Sequence, residues 1–441
     1  MKKKLTRRDF FLLAGGSLVA ASGVSILPQY LRKQLTPVEV AEAQDPDPDI
    51  YLAGTDGWIS LPRDPALPPY HPDTLAPDPF TTYIFGWCNI TGLNQNQINQ
   101  QKMHAQHSAP IFWVDQWDPG NPKDFRVKIT NLGLQIRPDL FDAHTLHWHG
   151  FRNVIPFFDG EPSSSIAVPP GRTFTYVYRP HEPGTYMYHC HVEDIEHVHM
   201  GMTGLVFVRP LQDGNTALYP SGKYVYNDGD GSTGFDREFV MFLSEVWAEA
   251  HWDDAHIQLP DWTDYKVDFA MLNGRCYPDT LAPNGSVDPF NPVRDANGTL
   301  VPTPGHEHLQ FQPISSLVRC EEGERVLLRF ANLGFDQATM SMAGIDMTIV
   351  GKDATHLRGR DGTDNTYVTS SVTMGAGESY DAIFTAPPFS GQGDYDTYVL
   401  YNRDFTHVAN TATDGFAGQR TEIRVYPSNS LQPQQYPNGW G

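Results

Sequence analysis

"VKITNLGLQIRPDLFDAHTLHWHGF", residues 127–151, and "LLRFANLGFDQATMSMAGI", residues 327–345, follow one plan within a chain of 441 residues. Each opens on a strand-like apolar run, turns at Asn-Leu-Gly and climbs into a second short run. A later pair repeats the likeness: "GTYMYHCHV" at 184–192 and "DTYVLYNRD" at 396–404. The chain is therefore read as two copies of one β domain. Matching the copies sets Ala338, Ser341 and Ala343 opposite His144, His147 and His149. It also sets Tyr401, Asn402 and Arg403 opposite His189, Cys190 and His191, so the second copy keeps the scaffold and none of these side chains.

Outward from these stretches the composition agrees. The 38 Gly and 36 Pro punctuate many short Val/Ile/Thr/Tyr/Phe-rich runs, which favours an all-β chain. Runs such as "TTYIFGW", "FRVKITNL", "TFTYVYRP" and "TGLVFVRP" have the spacing of an antiparallel Greek-key sandwich, placed at 80–211. A Gly/Asn/Asp-rich link covers 212–234, a second sandwich 235–427, and a polar tail 428–441. The Pro/Asp-rich stretch 44–79 reads as an extended lead ahead of the first sandwich.

The opening "MKKKLTRRDFFLLAGGSLVAASGVSIL" carries Arg7-Arg8 before an apolar run, with "AEA" at 41–43 as a cleavage site. Residues 1–43 are read as a twin-arginine export signal, which implies a periplasmic or extracellular protein that folds before export, often around a cofactor. The formal charge is −21, and removing the signal makes it more negative, which excludes nucleic acid and anionic membrane as natural partners. Four cysteines occur, of which Cys276 and Cys320 fall in the same half and are candidates to pair.

Cys190 has another use, because it sits in "YHCHVEDIEHVHMGM". A thiolate with imidazoles and a thioether is the donor set of a trigonal copper site, whereas zinc would call for a second thiolate or a simple histidine tetrahedron. Strand parity then sorts the histidines. His147 and His149 share one face, as do His189 and His191, while Cys190 and His144 point to the other. One domain thus offers an inner and an outer site joined through Cys190.

"HTLHWHG" followed by "GTYMYHCHVEDIEHVHMGM" resembles the copper signatures of the multicopper oxidases, the laccase-like and nitrite-reductase-like cupredoxin family. The resemblance implies two tandem cupredoxin-like Greek-key sandwiches. It further implies a type 1 copper on His144, Cys190, His197 and Met202, a type 2 copper on His147, and type 3 coppers on His149, His189 and His191. The family spaces its second type 1 histidine five residues after the cysteine and the methionine ten after. Ile195 occupies the first place here, and a two-residue insertion restores both steps with His197 and Met202, leaving His199 and Met200 as bystanders. Asp159, in "FFDGEP", resembles the acidic residue that assists proton delivery to the outer cluster; a turn residue before Gly160 is the alternative.

The implied activity is oxidation of a one-electron donor, a small reductant or a redox protein, coupled to reduction of dioxygen to water. Nitrite reduction at a type 2 copper and plain electron transfer are the alternatives. The four surplus outer histidines argue against a simple carrier. A complete trinuclear cluster takes more histidines than one copy offers, so a second copy of the chain is expected to complete it in a homo-oligomer. For the nitrite arrangement, His306 or His308 of a neighbouring copy would serve. His71, His104, His107, His181, His251, His256, His356 and His407 are read as ordinary surface or core histidines.

Overall fold

A computed structural model describes residues 47–409 and 417–439. Residues 1–43, the stretch read as an export signal, lie outside the described residues. Among the described residues no helix is long and apolar enough to cross a membrane.

The first half contains β1 (Ile50–Ser60), β2 (Thr81–Asn89), β3 (Phe112–Asp115), β4 (Phe125–Asn131), β5 (His147–His149), β6 (Thr173–Tyr178), β7 (Gly184–His189) and β8 (Thr203–Arg209). They form two four-stranded sheets, ordered β2-β1-β4-β6 and β3-β8-β7-β5. The second half contains β9 (Arg237–Val246), β10 (Phe269–Leu272), β11 (Val318–Glu321), β12 (Arg325–Asn332) and β13 (Ala338–Met342). It continues with β14 (Met347–Lys352), β15 (Thr355–His356), β16 (Tyr367–Thr369), β17 (Ser371–Met374), β18 (Ser379–Thr385), β19 (Asp396–Asn402) and β20 (Arg420–Tyr426). Its sheets run β10-β9-β12-β18-β14-β15 and β11-β20-β19-β13-β17, so both orders of the first half reappear with strands added at the edges. Strand sense repeats too: β1 with β4 and β9 with β12 are parallel, as are β3 with β8 and β11 with β20.

Register makes the duplication exact to the residue at the outer face. His147 pairs with His189 between β5 and β7, and Ser341 pairs with Tyr401 between β13 and β19. These are the positions that sequence matching sets opposite one another.

The lead assigned to 44–79 is corrected by β1, which lies inside its sheet between β2 and β4. "IYLAGTDGWIS" hides this because the strand is buried on both faces, so it shows no polar–apolar alternation, and Gly54, Asp56 and Gly57 dilute its β character. The polar tail also docks: Gln434 accepts the Glu238 N–H at 2.8 Å and Asn438 accepts the Val240 N–H at 2.7 Å, along the part of β9 that β10 does not reach. None of the four cysteines forms a disulfide; Cys276 and Cys320, the expected pair, are both buried and not joined to each other.

Each half encloses its own apolar core. A third cluster, with Met187, Leu205 and Phe207 facing Val240, Phe242 and Ala331, seals the halves together. Beside it runs a buried ion network: Arg329 reaches Glu238 at 3.0 Å and Asp381 at 3.3 Å, while Thr185 and Tyr226 donate to Asp381 at 2.6 and 2.7 Å.

Candidate metal centre

Short helices include α1 (Gln95–Asn99), α2 (Asp194–His199), which carries His197 and His199, and α3 (Ala248–Ala255). Donor atoms of His144, Cys190 and His197 lie within 4.8 Å of one another, and all three residues are buried. Cys190 Sγ is 3.3 Å from His197 Nδ1 and accepts the Thr145 N–H at 3.4 Å. Met202 is fully buried, and its backbone closes the loop: its N–H donates to His197 O at 2.9 Å and its carbonyl accepts the Cys190 N–H at 3.0 Å. The insertion inferred from spacing is accommodated by α2, whose turn carries exposed Ile195 outward and returns His197 to the thiol.

His144 supplies the test of fit for a metal. It is completely buried, and neither ring nitrogen has a hydrogen-bond partner, an arrangement costly for an imidazole that binds nothing. Room for the ring comes from Gly54, where a Cβ would stand 2.6 Å from His144 Cδ2. No sequence signal marks that glycine; only the fold brings β1 beside His144. Burial pushes the Cys190 thiol up, but the charge and hydrogen bond of His197, together with His144, outweigh it and hold the thiol well below its ordinary value. Burial likewise opposes protonation of His197, and the Cys190 thiolate and Asp142 reverse this, raising it to about 10. A preformed thiolate in a buried nitrogen–sulfur pocket suits copper.

The outer group lies on the other side of the same strands. Donor atoms of His147, His149 and His189 also fall within 4.8 Å of one another. The His191 ring lies 5.0 Å from that of His147 and 5.5 Å from that of His189. The ring nitrogens are sorted by their partners. His147 Nδ1 donates to the Asp159 carbonyl at 2.7 Å and His189 Nδ1 to the Cys190 carbonyl at 2.8 Å, so Nε2 of each carries the lone pair a metal would take, that of His189 standing 3.3 Å from His149 Nδ1. Burial lowers the basicity of His147 and His149 and brings His189 to about 3, so these imidazoles stay neutral, as ligation requires.

Asp159 reaches His147 mainly through its backbone; its carboxylate stands 3.6 Å from Nδ1. The turn role is real as well, since Gly160 adopts φ +79° and a Cβ there would meet Leu146 O. From the second half, Gly377 packs on His149, with its Cβ position 3.1 Å from the imidazole, and among the described residues no imidazole faces the outer group from β13 or β19. His306 and His308 sit elsewhere, near Asp279, which His308 meets at 3.2 Å.

His199 turns away from the inner group. It accepts the Trp247 N–H of the second half at 3.0 Å and meets Trp262 and Tyr265 edge-on and Phe335 at a tilt. His107 and His251 are core residues nearby: His107 meets Ser244 Oγ at 2.9 Å and His251 donates to the Tyr83 carbonyl at 2.6 Å.

Residues 124–213 and 240–426 each match a family described as multicopper oxidase, together well over half of the chain. L-ascorbate oxidase of Nicotiana tabacum is 25% identical over 252 residues, 54% of this chain and 36% of the relative. Laccase-like multicopper oxidase 1 of Thermothelomyces thermophilus is 25% identical over 300 residues, 60% of this chain and 41% of the relative. The aligned part thus spans about two fifths of the length of these curated relatives. Blue copper oxidase of Nitrosomonas europaea shares the fold at a TM-score of 0.54 and 19% identity, over 85% of each chain.

Proposed function

The chain belongs to the multicopper oxidase family, and from that premise we propose that it is a laccase-like oxidase, drawing single electrons from a reducing donor and passing them to dioxygen. Copper is the family's cofactor: it supplies a one-electron relay at the inner ligands and the centre for dioxygen reduction at the outer ones.

The single observation that carries this reading is the wiring between the two groups. Cys190 is flanked in sequence by His189 and His191, and the His189 Nδ1–H also donates to the Cys190 carbonyl at 2.8 Å. A covalent path and a hydrogen-bonded shortcut thus run from one thiolate to the outer imidazoles. A plain carrier has no use for either.

Within this reading His144, Cys190, His197 and Met202 hold type 1 copper, His147 type 2, and His149, His189 and His191 type 3. Met202 lies in a loop tied by backbone bonds to both Cys190 and His197. The Asp159 carbonyl sets the His147 tautomer, and its carboxylate, partly open to solvent, hands protons toward the outer site. A second copy of the chain completes the outer site. The support is that His147 and His191 keep 18% and 29% of their side-chain surface open, while the second half offers Ser341 and Tyr401 where its own ligands would stand. Export by the twin-arginine route to the periplasm or beyond belongs to the same proposal.

Copper analysis joined to oxygen uptake tests it. A centre shared between two copies gives about two and a half coppers per chain, with a blue absorption, a coupled copper pair silent in electron paramagnetic resonance so that fewer spins than coppers are counted, and phenol-dependent oxygen uptake. Nitrite turnover without oxygen uptake would overturn it in favour of the nitrite-reductase-like reading.

A further inference from the structure

Several of the most exposed large apolar side chains gather around the inner ligands. Phe141, 78% exposed, immediately precedes Asp142, whose carboxylate meets His197 Nε2 at 3.3 Å. Ile195, 55% exposed, stands on α2 two residues before His197. Ile257 and Leu259, 61% and 84% exposed, follow α3, and that helix is tied to the same place by the 2.7 Å pair of Asp254 with Arg137. Trp262, a little further on, packs against His199 of α2. Three chain segments therefore meet in one apolar face.

Its rim is acidic. Asp139, Glu193, Asp194, Glu196, Asp253 and Asp261 lie on these segments, and the sole Lys or Arg across 137–142, 193–197 and 253–261 is Arg137, buried and already paired. His197 itself has no exposed surface, and the Asp142 side chain only 9%. No donor therefore touches the imidazole directly; electrons reach the His197–Asp142 hydrogen bond through the side chains that cover it.

Exposed apolar surface ringed by charge marks a protein contact, and a chain of charge −21 attracts cationic partners over distance. We propose that this face docks a small basic one-electron carrier protein, one with a cationic rim around the exposed edge of its haem or copper. The proposal rests on the reading of His144, Cys190, His197 and Met202 as type 1 copper ligands. In the exchange one electron leaves the carrier's reduced centre, which is oxidised, and Cu(II) held by those ligands becomes Cu(I). No bond and no proton is transferred.

Horse heart cytochrome c, a basic haem protein, serves as the probe. Calorimetric titration of the oxidised holoprotein with ferricytochrome c reads docking without turnover, and oxidation of ferrocytochrome c reads the transfer. The Kd is expected to rise at least about tenfold between about 20 and about 300 mM salt. The double variant Phe141→Ser, Leu259→Ser is expected to weaken binding and oxidation by about tenfold or more while the blue absorption and its bleaching by ascorbate stay unchanged. A blue, ascorbate-bleached protein that binds cytochrome c weakly without salt dependence, or equally well as the variant, overturns the proposal. So does loss of phenol oxidation in the variant with cytochrome c unaffected, which assigns the face to small donors, or loss of self-association, which assigns it to a second copy. Absence of the blue absorption in the unmodified protein overturns the ligand reading beneath it, a failure separable from that of docking.

Discussion

Gly54 shows how a residue without functional groups governs the placement of His144, a proposed copper ligand. The His144 ring occupies the space a Cβ would take, and Trp87 closes the other side, with its ring 5.9 Å away. Gly54→Ala should displace His144 while leaving the rest of the chain folded. The expected outcome is loss of most of the blue thiolate absorption and of about one copper per chain, with unchanged far-ultraviolet circular dichroism; retention of full blue colour would show that the ring moves aside freely. The candidate ligands could be named from the sequence because donor chemistry and strand parity are local properties. Gly54 was not, since its role exists only once β1 lies against the His144 segment.

At the scale of elements, α2 turns an insertion into geometry. Its two extra residues push Ile195 to the surface, return His197 to within 3.3 Å of the thiol and aim His199 at the Trp247 N–H. Behind α2, β2 and β9 enclose two imidazoles held neutral: burial lowers His251 to about 4, and burial with the charge of His251 lowers His107 to about 3. In the unfolded chain each would titrate near its ordinary value of 6.5. The folded state takes up fewer protons than the unfolded state below that pH, so the stability these residues contribute is whole above about 6.5 and drains away as pH falls toward 4 and 3. The melting temperature should therefore fall steeply across this window, and His251→Asn, which keeps a donor for the Tyr83 carbonyl, should make the slope shallower by about one proton. An unchanged slope in thermal melts at several pH values would show that His251 is already solvated in the native protein. Spacing arithmetic could choose His197 over His199, but the destination of His199 depends on a strand almost fifty residues further along.

On the scale of the whole molecule, the described residues of the second half bring no imidazole to the outer group, and yet this half braces the first. Arg329 pairs with Glu238 and Asp381 inside the second half and crosses the seam to the first, donating to Thr185 Oγ1 at 3.2 Å while its guanidinium lies 4.2 Å from the Phe207 ring of β8. Glu238 is fully buried; burial raises its pKa, but Arg209 and Arg329 overcome this and hold it below the usual carboxylate value. Arg329→Ala leaves Asp381 and Glu238 short of their counter-charge, for a loss of about 3 kcal/mol or more. The expected outcome in scanning calorimetry is a lower transition that separates into two, one for each half; a single unshifted transition would show that the apolar seam alone couples them. Sequence repetition announced two like halves, and register bore this out at Ser341 and Tyr401. The buried β1 and the docked tail escaped it because neither alternates, and both gain their order from partners far along the chain.

The sequence by itself determined the candidate donor set, its division into two faces and the duplication, because residue chemistry and the two-residue period of a strand are written in the chain. Tertiary structure alone decided what lies around those donors: the glycine that admits His144, the carbonyls that set the His147 and His189 tautomers, and the apolar, acid-rimmed face over a buried His197. Each of these is a meeting of segments distant in sequence, brought together by burial of two cores and a seam rather than by any local pattern.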